Sequence, residues 1–164
     1  MVEDVVKSLG FLAMGTRMKR IGERLQADTQ VLLEAMELPV GAGQCPLLAA
    51  IDMLGPLTIG ELAEALGITQ PAITRSVNQL ADLGYLAVKP AEDDQRRRIV
   101  HLTEQGRRLV ERAKAEIWPR IEAAVRDLCG GLSGPFLEQL AAVEGGLAAR
   151  SLKQRSDMLK GQEP

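Results

Sequence analysis

The order of elements between residues 57 and 103 constrains this chain more than any other feature: helix, tight turn, helix, then a short β-hairpin. Thr58 is placed to cap a helix, and Glu61 three residues on completes a capping box. Leu62, Ala63 and Leu66 supply that helix's apolar face, and Gly67 stands where a helix-ending glycine belongs. Thr69 is the next N-cap, and Pro71 falls in the first turn, where its missing N–H costs nothing. The spacing predicts that this second helix runs to about Leu83 and closes at Gly84. The period then changes. Residues 85–89 and 97–102 are short and rich in Val, Ile and Leu, and they flank the polar run 90–96. That pattern reads as a β-hairpin with a charged tip.

Helices are expected on both sides. Residues 3–37 read as one long helix, or a short one running into a long one. Phe11, Met14, Met18, Ile21, Leu25, Leu32 and Met36 make an apolar stripe along it. Such a stripe packs either within its own protomer or against a partner chain. Gly10, Gly15 and Gly22 weaken the helix, each by up to about 1 kcal/mol. Pro46 opens a short helix through Leu47, Leu48, Ile51 and Leu54. Thr103 caps a longer one carrying Leu109, Ile117, Ile121, Val125 and Leu128, with a kink expected near residues 116–118 because Pro119 lies inside it. After Gly130-Gly131, Ser133 and Pro135 start a last helix through Leu137, Leu140, Val143 and Leu147. Residues beyond about Arg155 read as a frayed polar tail.

The fold class is therefore mainly α: a winged helix-turn-helix with a two-stranded β-hairpin wing, framed by long N- and C-terminal helices. Aromatic residues are only 2% of the chain, so its core of Leu, Ile, Val, Ala and Met suits helices. At 164 residues it makes one domain, divided as 1–38, 45–103, 104–158 and a tail at 159–164.

Several function classes fall away. The two cysteines, Cys45 and Cys129, lie far apart, and His101 is the only histidine, so no zinc site assembles within one chain. Both thiols are expected to be buried and inert, with redox sensing as the alternative. There is no nucleophile and base pair to propose and no glycine-rich phosphate loop, hence no catalytic residues, metal or cofactor. The apolar stretches are too short to cross a membrane, and residues 1–4 carry acid where a secretory signal carries base. A cytoplasmic protein is expected.

Within the second helix, Ile73, Val77 and Leu80 recur at i, i+4 and i+7 and define a buried face. Pro71, Thr74, Arg75 and Asn78 then lie on the opposite side. That short-chained polar face fits a major groove about 12 Å wide, where Arg addresses guanine and Asn addresses adenine. Thr69 and Gln70 at the helix start are within reach of base edges or a phosphate. The same residues also suit an ordinary solvated face. Arg96, Arg97 and Arg98 at the hairpin tip favour DNA, since an arginine on a narrow tip reaches the minor groove. Alternation along a strand keeps all three from facing it together. Asp93 and Asp94 are expected to accept hydrogen bonds in the turn or to pair with an arginine. The net charge of −2 argues only against indiscriminate polyanion binding.

The residues from Leu57 to Leu109 resemble the MarR family of transcriptional regulators. Leu57-Thr58-Ile59-Gly60-Glu61-Leu62-Ala63-Glu64-Ala65-Leu66-Gly67-Ile68 is similar to the family's first helix-turn-helix element. Thr69-Gln70-Pro71-Ala72-Ile73-Thr74-Arg75 resembles the start of its recognition helix. Asp94-Gln95-Arg96-Arg97-Arg98 followed by Leu102-Thr103-Glu104-Gln105-Gly106 resembles its D-x-R wing and L-T-x-x-G helix start. The first helix and the Trp118 region are also similar to the regulator portion of fusions with an acetyltransferase. With the last residue at Pro164, no such enzyme is expected here.

The resemblance implies a homodimer whose end helices interlock, with residues 1–38 and 104–158 as dimerisation helices. It implies double-stranded DNA as partner and a palindromic operator. Gln70, Pro71, Thr74, Arg75 and Asn78 match recognition-helix positions, Arg96 the wing-tip arginine, and Asp94 the acid that steadies the wing. A repressor answering to a small aromatic effector, held between the end helices and the winged module, is the implied activity. The family's oxidant-sensing cysteine has no counterpart in residues 2–36. Glu92 replaces a frequent proline. A winged helix also serves as a protein-docking module, a reading under which Arg75 and the arginine cluster are dispensable.

Overall fold

A computed structural model describes residues 2–91, 94 and 96–160. Their contacts gather into a first unit, Met1–Ile121, and a second, Glu122–Pro164. Helices dominate, with one small antiparallel sheet.

The capping box forms at the centre of the first unit. The Thr58 hydroxyl accepts the Glu61 N–H at 3.2 Å, and the Glu61 carboxylate accepts the Thr58 N–H at 2.7 Å and its hydroxyl at 2.8 Å. This starts helix α4 (Ile59–Leu66). Gly67 ends it at φ 62° and ψ 30°, where a β-carbon is disfavoured. The Gly67 and Ile68 N–H groups return to the Glu64 and Ala63 carbonyls, a Schellman closure. Helix α5 (Gln70–Asp82) follows at once. Thr69 has N-cap backbone geometry, but its hydroxyl makes no capping bond. The Ala72 and Ile73 N–H groups already donate to the Thr69 carbonyl, and Pro71 has no N–H to offer.

Strands β2 (Leu86–Pro90) and β3 (Arg98–Leu102) pair antiparallel, from Leu86 opposite Leu102 to Pro90 opposite Arg98. The expected two-stranded hairpin is present, and β1 (Leu57–Thr58) adds to the other edge of β3, giving the order β1-β3-β2. Leu57 sits opposite Val100, so the strand anchors the hairpin to the start of α4.

Under this sheet lies the core. Leu47, Leu48 and Ile51 of α3 (Cys45–Leu54) are buried with Leu62, Ile73, Val77, Leu80 and Val100. Leu33 is the one fully buried residue of α2 (Met14–Ala35). Short turns precede these helices: α1 (Val5–Ser8) and a 3-10 turn Gly10–Ala13 before α2, another at Ala42–Gln44 before α3. Gly10 makes the break after α1 at φ 54°. Asp4 then holds α1 to α2 through two bonds from Arg20, at 3.0 and 3.1 Å. The apolar stripe divides: Met14, Leu25 and Met36 are half-buried, whereas Phe11 is 93% exposed and Met18, Ile21 and Leu32 are also exposed.

Thr103 joins the hairpin to α6 (Glu104–Arg112). Its hydroxyl donates to the Gly84 carbonyl at 2.6 Å and accepts the Gly106 N–H at 3.0 Å, while its own N–H donates to the Tyr85 carbonyl. The expected kink is a π-helical turn, Ala113–Ile117, leading into α7 (Trp118–Cys129). Pro119 has no N–H for the carbonyl four residues back, and its ring crowds that carbonyl, so the wider turn absorbs both. Cys45 and Cys129 are free and half-buried rather than fully buried, and burial pushes the Cys45 thiol above its ordinary range.

In the second unit, α8 (Phe136–Ala149) is followed by α9 (Leu152–Lys160), where a frayed tail was expected beyond Arg155. A second capping box explains the difference. The Ser151 hydroxyl accepts the Gln154 N–H at 3.3 Å, and the Gln154 side chain accepts the Ser151 N–H at 2.9 Å. Arg155 then donates to the Gly146 and Arg150 carbonyls at the end of α8. Residues 161–164 lie outside the described residues.

Candidate nucleic-acid interface

Helix α5 presents the face that its periodicity predicts. Ile73, Val77 and Leu80 are at most 2% exposed, and this fixes the rotation of everything opposite them. Thr69, Gln70, Pro71, Thr74, Arg75 and Asn78 are all exposed. The Thr74 hydroxyl donates to the Gln70 carbonyl at 2.9 Å. Its proton is thereby committed to the helix, leaving a methyl and acceptor lone pairs outward. Among the described residues, the Arg75 guanidinium and the Asn78 amide have no hydrogen-bond partner in the protein. Both remain available for bidentate contacts to base edges. The Gln70 amide lies over the start of α4, with its nitrogen 3.6 Å from where a β-carbon on Gly60 would stand.

The wing tip is shaped by Asp94. Its carboxylate accepts the Arg96 N–H at 2.9 Å and its carbonyl accepts the Arg97 N–H at 3.0 Å. This is an Asx-type turn, with the acid bonding the backbone two residues on. Above it, the Ala91 N–H donates to the Arg97 carbonyl and extends the ladder beyond Pro90. Glu92, Asp93 and Gln95 lie outside the described residues.

The three arginines separate. Arg97 turns back to the scaffold, its guanidinium 3.9 Å from the Glu61 carboxylate. Glu61 is itself fixed by the capping box, and the Thr58 N–H, then its hydroxyl, then Arg97 hold its carboxyl below the usual range. Arg96 and Arg98 are exposed, and among the described residues their guanidinium groups meet no acid. The site thus has a polar outward face on α5, a helix start with an uncommitted hydroxyl at Thr69, and a hairpin carrying two outward cations. Sequence reading did not find β1 or the Arg97–Glu61 pair, because both depend on residues far apart along the chain.

Comparison with known proteins follows the same region. Residues 38–97 match the MarR family model. A MarR family transcriptional regulator from Silicibacter pomeroyi DSS is 30% identical, with 84% of this chain and 87% of that chain covered and a TM-score of 0.58. BpsR from Bordetella bronchiseptica, whose DNA binding is regulated by 6-hydroxynicotinic acid, is 25% identical, with 79% and 87% covered and a TM-score of 0.63. A mutant MarR from E. coli complexed with operator DNA shares the fold at 20% identity, with 90% and 98% covered and a TM-score of 0.67.

Proposed function

The chain belongs to the MarR family, and from that premise we propose that it is a sequence-specific regulator of transcription that binds duplex DNA as a homodimer. One observation carries the reading: the outward face of α5, with Arg75 and Asn78 unpartnered among the described residues, stands beside a wing that turns Arg96 and Arg98 to solvent. The likeness to a MarR seen with operator DNA supports it. Phosphate contacts from the wing and from the start of α5 position the protein, while Arg75, Asn78 and Gln70 read bases. The protein is a non-enzymatic, cytoplasmic repressor in this reading.

Dimerisation is supported by the first unit's uncovered stripe. Phe11 and Leu12, 93% and 85% exposed, continue into Met18, Ile21 and Leu32, a run of apolar side chains that water disfavours. A two-fold dimer then demands an inverted-repeat operator with half-sites about 34 Å apart or a multiple of it. Sedimentation equilibrium should give a dimer at micromolar concentration. Met18→Asp/Ile21→Asp should shift it to monomer, and an unchanged mass would place the interface elsewhere.

Arg75→Ala should cost about 1–3 kcal/mol of operator affinity and relax specificity at one base pair per half-site. Uniform weakening on every duplex would show a phosphate contact instead. A ligand response completes the reading, supported by the likeness to BpsR, whose DNA binding is regulated by 6-hydroxynicotinic acid.

A further inference from the structure

A groove of about 570 Å³ opens between the C-terminal end of α2, the turn that follows it and the C-terminal end of α5. That volume suits a small organic molecule. Its floor is apolar, with Leu38 and Val40 buried beneath it. Its polar lining is anionic. Glu34 and Asp82 both face it, and among the described residues no Lys, Arg or His lines it.

Two of the three lining amides are engaged at both ends within the protein, and the third, Gln79, through its oxygen. Gln30 spends its nitrogen on Glu34, at 3.0 Å, and its oxygen on the Ala42 N–H, at 2.8 Å. Gln44 spends its oxygen on the Gly41 N–H and its nitrogen on the Gln79 oxygen, at 2.8 and 3.0 Å. Asp82 has no hydrogen-bond or ion-pair partner among the described residues. Neither α2 nor α5 carries a basic residue in its last turn, so no cationic side chain within those turns offsets the negative end of either helix dipole. Arg112 satisfies the Met36 and Glu37 carbonyls beyond the lining, and the Gly84 and Tyr85 N–H groups return to the Ala81 and Leu80 carbonyls at the end of α5.

We propose that this groove binds a small organic cation, an ammonium group carried on an apolar body, and rejects aromatic carboxylates. The proposal rests on the ligand response of the regulator and assigns this chain a ligand of opposite charge to the acid that regulates BpsR. An ammonium finds Glu34 and Asp82 as partners over an apolar floor. A carboxylate meets two like charges and no positive side chain in the lining, a mismatch that discriminates more strongly than shape. Gln79 and Asp82 belong to α5, so occupancy acts directly on the helix that reads DNA, and by linkage the operator acts equally on the ligand.

The test is calorimetric titration of the full chain, without DNA, using phenethylammonium and its near-isostere phenylacetate. Phenethylammonium should bind saturably, one per chain, and phenylacetate should give no binding heat. Glu34→Gln/Asp82→Asn, which keeps an acceptor for Gln30, should weaken the ammonium about tenfold; Asp82→Asn alone should give an intermediate loss, and thermal melts would confirm that both variants fold. Tighter binding of phenylacetate, unchanged affinity in the double variant, or no saturable ammonium binding would each overturn the proposal. Operator binding of the same preparation is measured separately. Intact operator binding without ammonium binding would defeat the groove's assignment alone, whereas ammonium binding without operator binding would defeat the regulator reading.

Discussion

Gly106→Ala is expected to destabilise the winged module by about 3 kcal/mol, the upper part of the range for forcing atoms into a packed site. A β-carbon at Gly106 would stand 2.0 Å from the Tyr85 carbonyl oxygen and 3.2 Å from a Leu102 methyl. The first contact is with backbone, so no side chain can rotate away. That carbonyl also accepts the Thr103 N–H, and Tyr85 leads directly into β2, so displacing it disturbs the hairpin register and the start of α6 together. Alanine's better helix propensity returns at most about 1 kcal/mol, and the clash wins. Gly60→Ala is the control. There the added carbon lies 3.6 Å from the Gln70 amide and 3.9 Å from the Thr58 hydroxyl, ordinary contacts, so stability should hold or rise slightly. Urea unfolding at one fixed protein concentration reads both variants. A Gly106→Ala midpoint equal to wild type would contradict the packing at this turn.

The second large effect falls on DNA. Arg96→Ala/Arg98→Ala should lower operator affinity about a hundredfold near 0.15 M salt. It should also flatten the salt dependence by about 0.9 for each phosphate no longer neutralised, or by about 4 across the two wings of a dimer. The physical basis is that both guanidinium groups are exposed and meet no acid among the described residues, on a tip held in shape by Asp94 backbone bonds rather than by the arginines themselves. Removing them therefore leaves the wing intact. Arg97→Ala should behave differently. Its partner is Glu61, so it should weaken binding with little change of slope. Equal slopes for wild type and the double variant would exclude the wing from phosphate binding.

What was legible in the sequence was local. Thr58, Glu61 and Gly67 announce α4 because capping needs only residues three or four apart, and Ile73, Val77 and Leu80 orient α5 for the same reason. The exposed polar face of α5 followed from that rotation. Strand β1 escaped notice because two residues carry no period, and Leu57–Thr58 becomes a strand only by meeting Val100 and Ile99. Helix α9 was hidden by its polarity, although Ser151 and Gln154 hold the spacing of a capping box. The anionic groove brings Glu34 and Asp82 together from two helices, a juxtaposition that no linear pattern contains. The stripe on the first helix was visible, and Phe11 and Ile21 within it are exposed in the single chain.

The most direct test of sequence-specific recognition through α5 and the wing starts from a random duplex library, selected on the wild-type chain. Fluorescence anisotropy across a salt series then compares the enriched duplex with its shuffled counterpart. Enrichment of an inverted repeat bound at least about a thousandfold more tightly than the shuffled duplex, with specificity lost in Arg75→Ala, is the expected result. Failure to enrich any sequence, with equal and weak binding to both duplexes, would contradict DNA recognition and leave the winged module as a protein-docking surface.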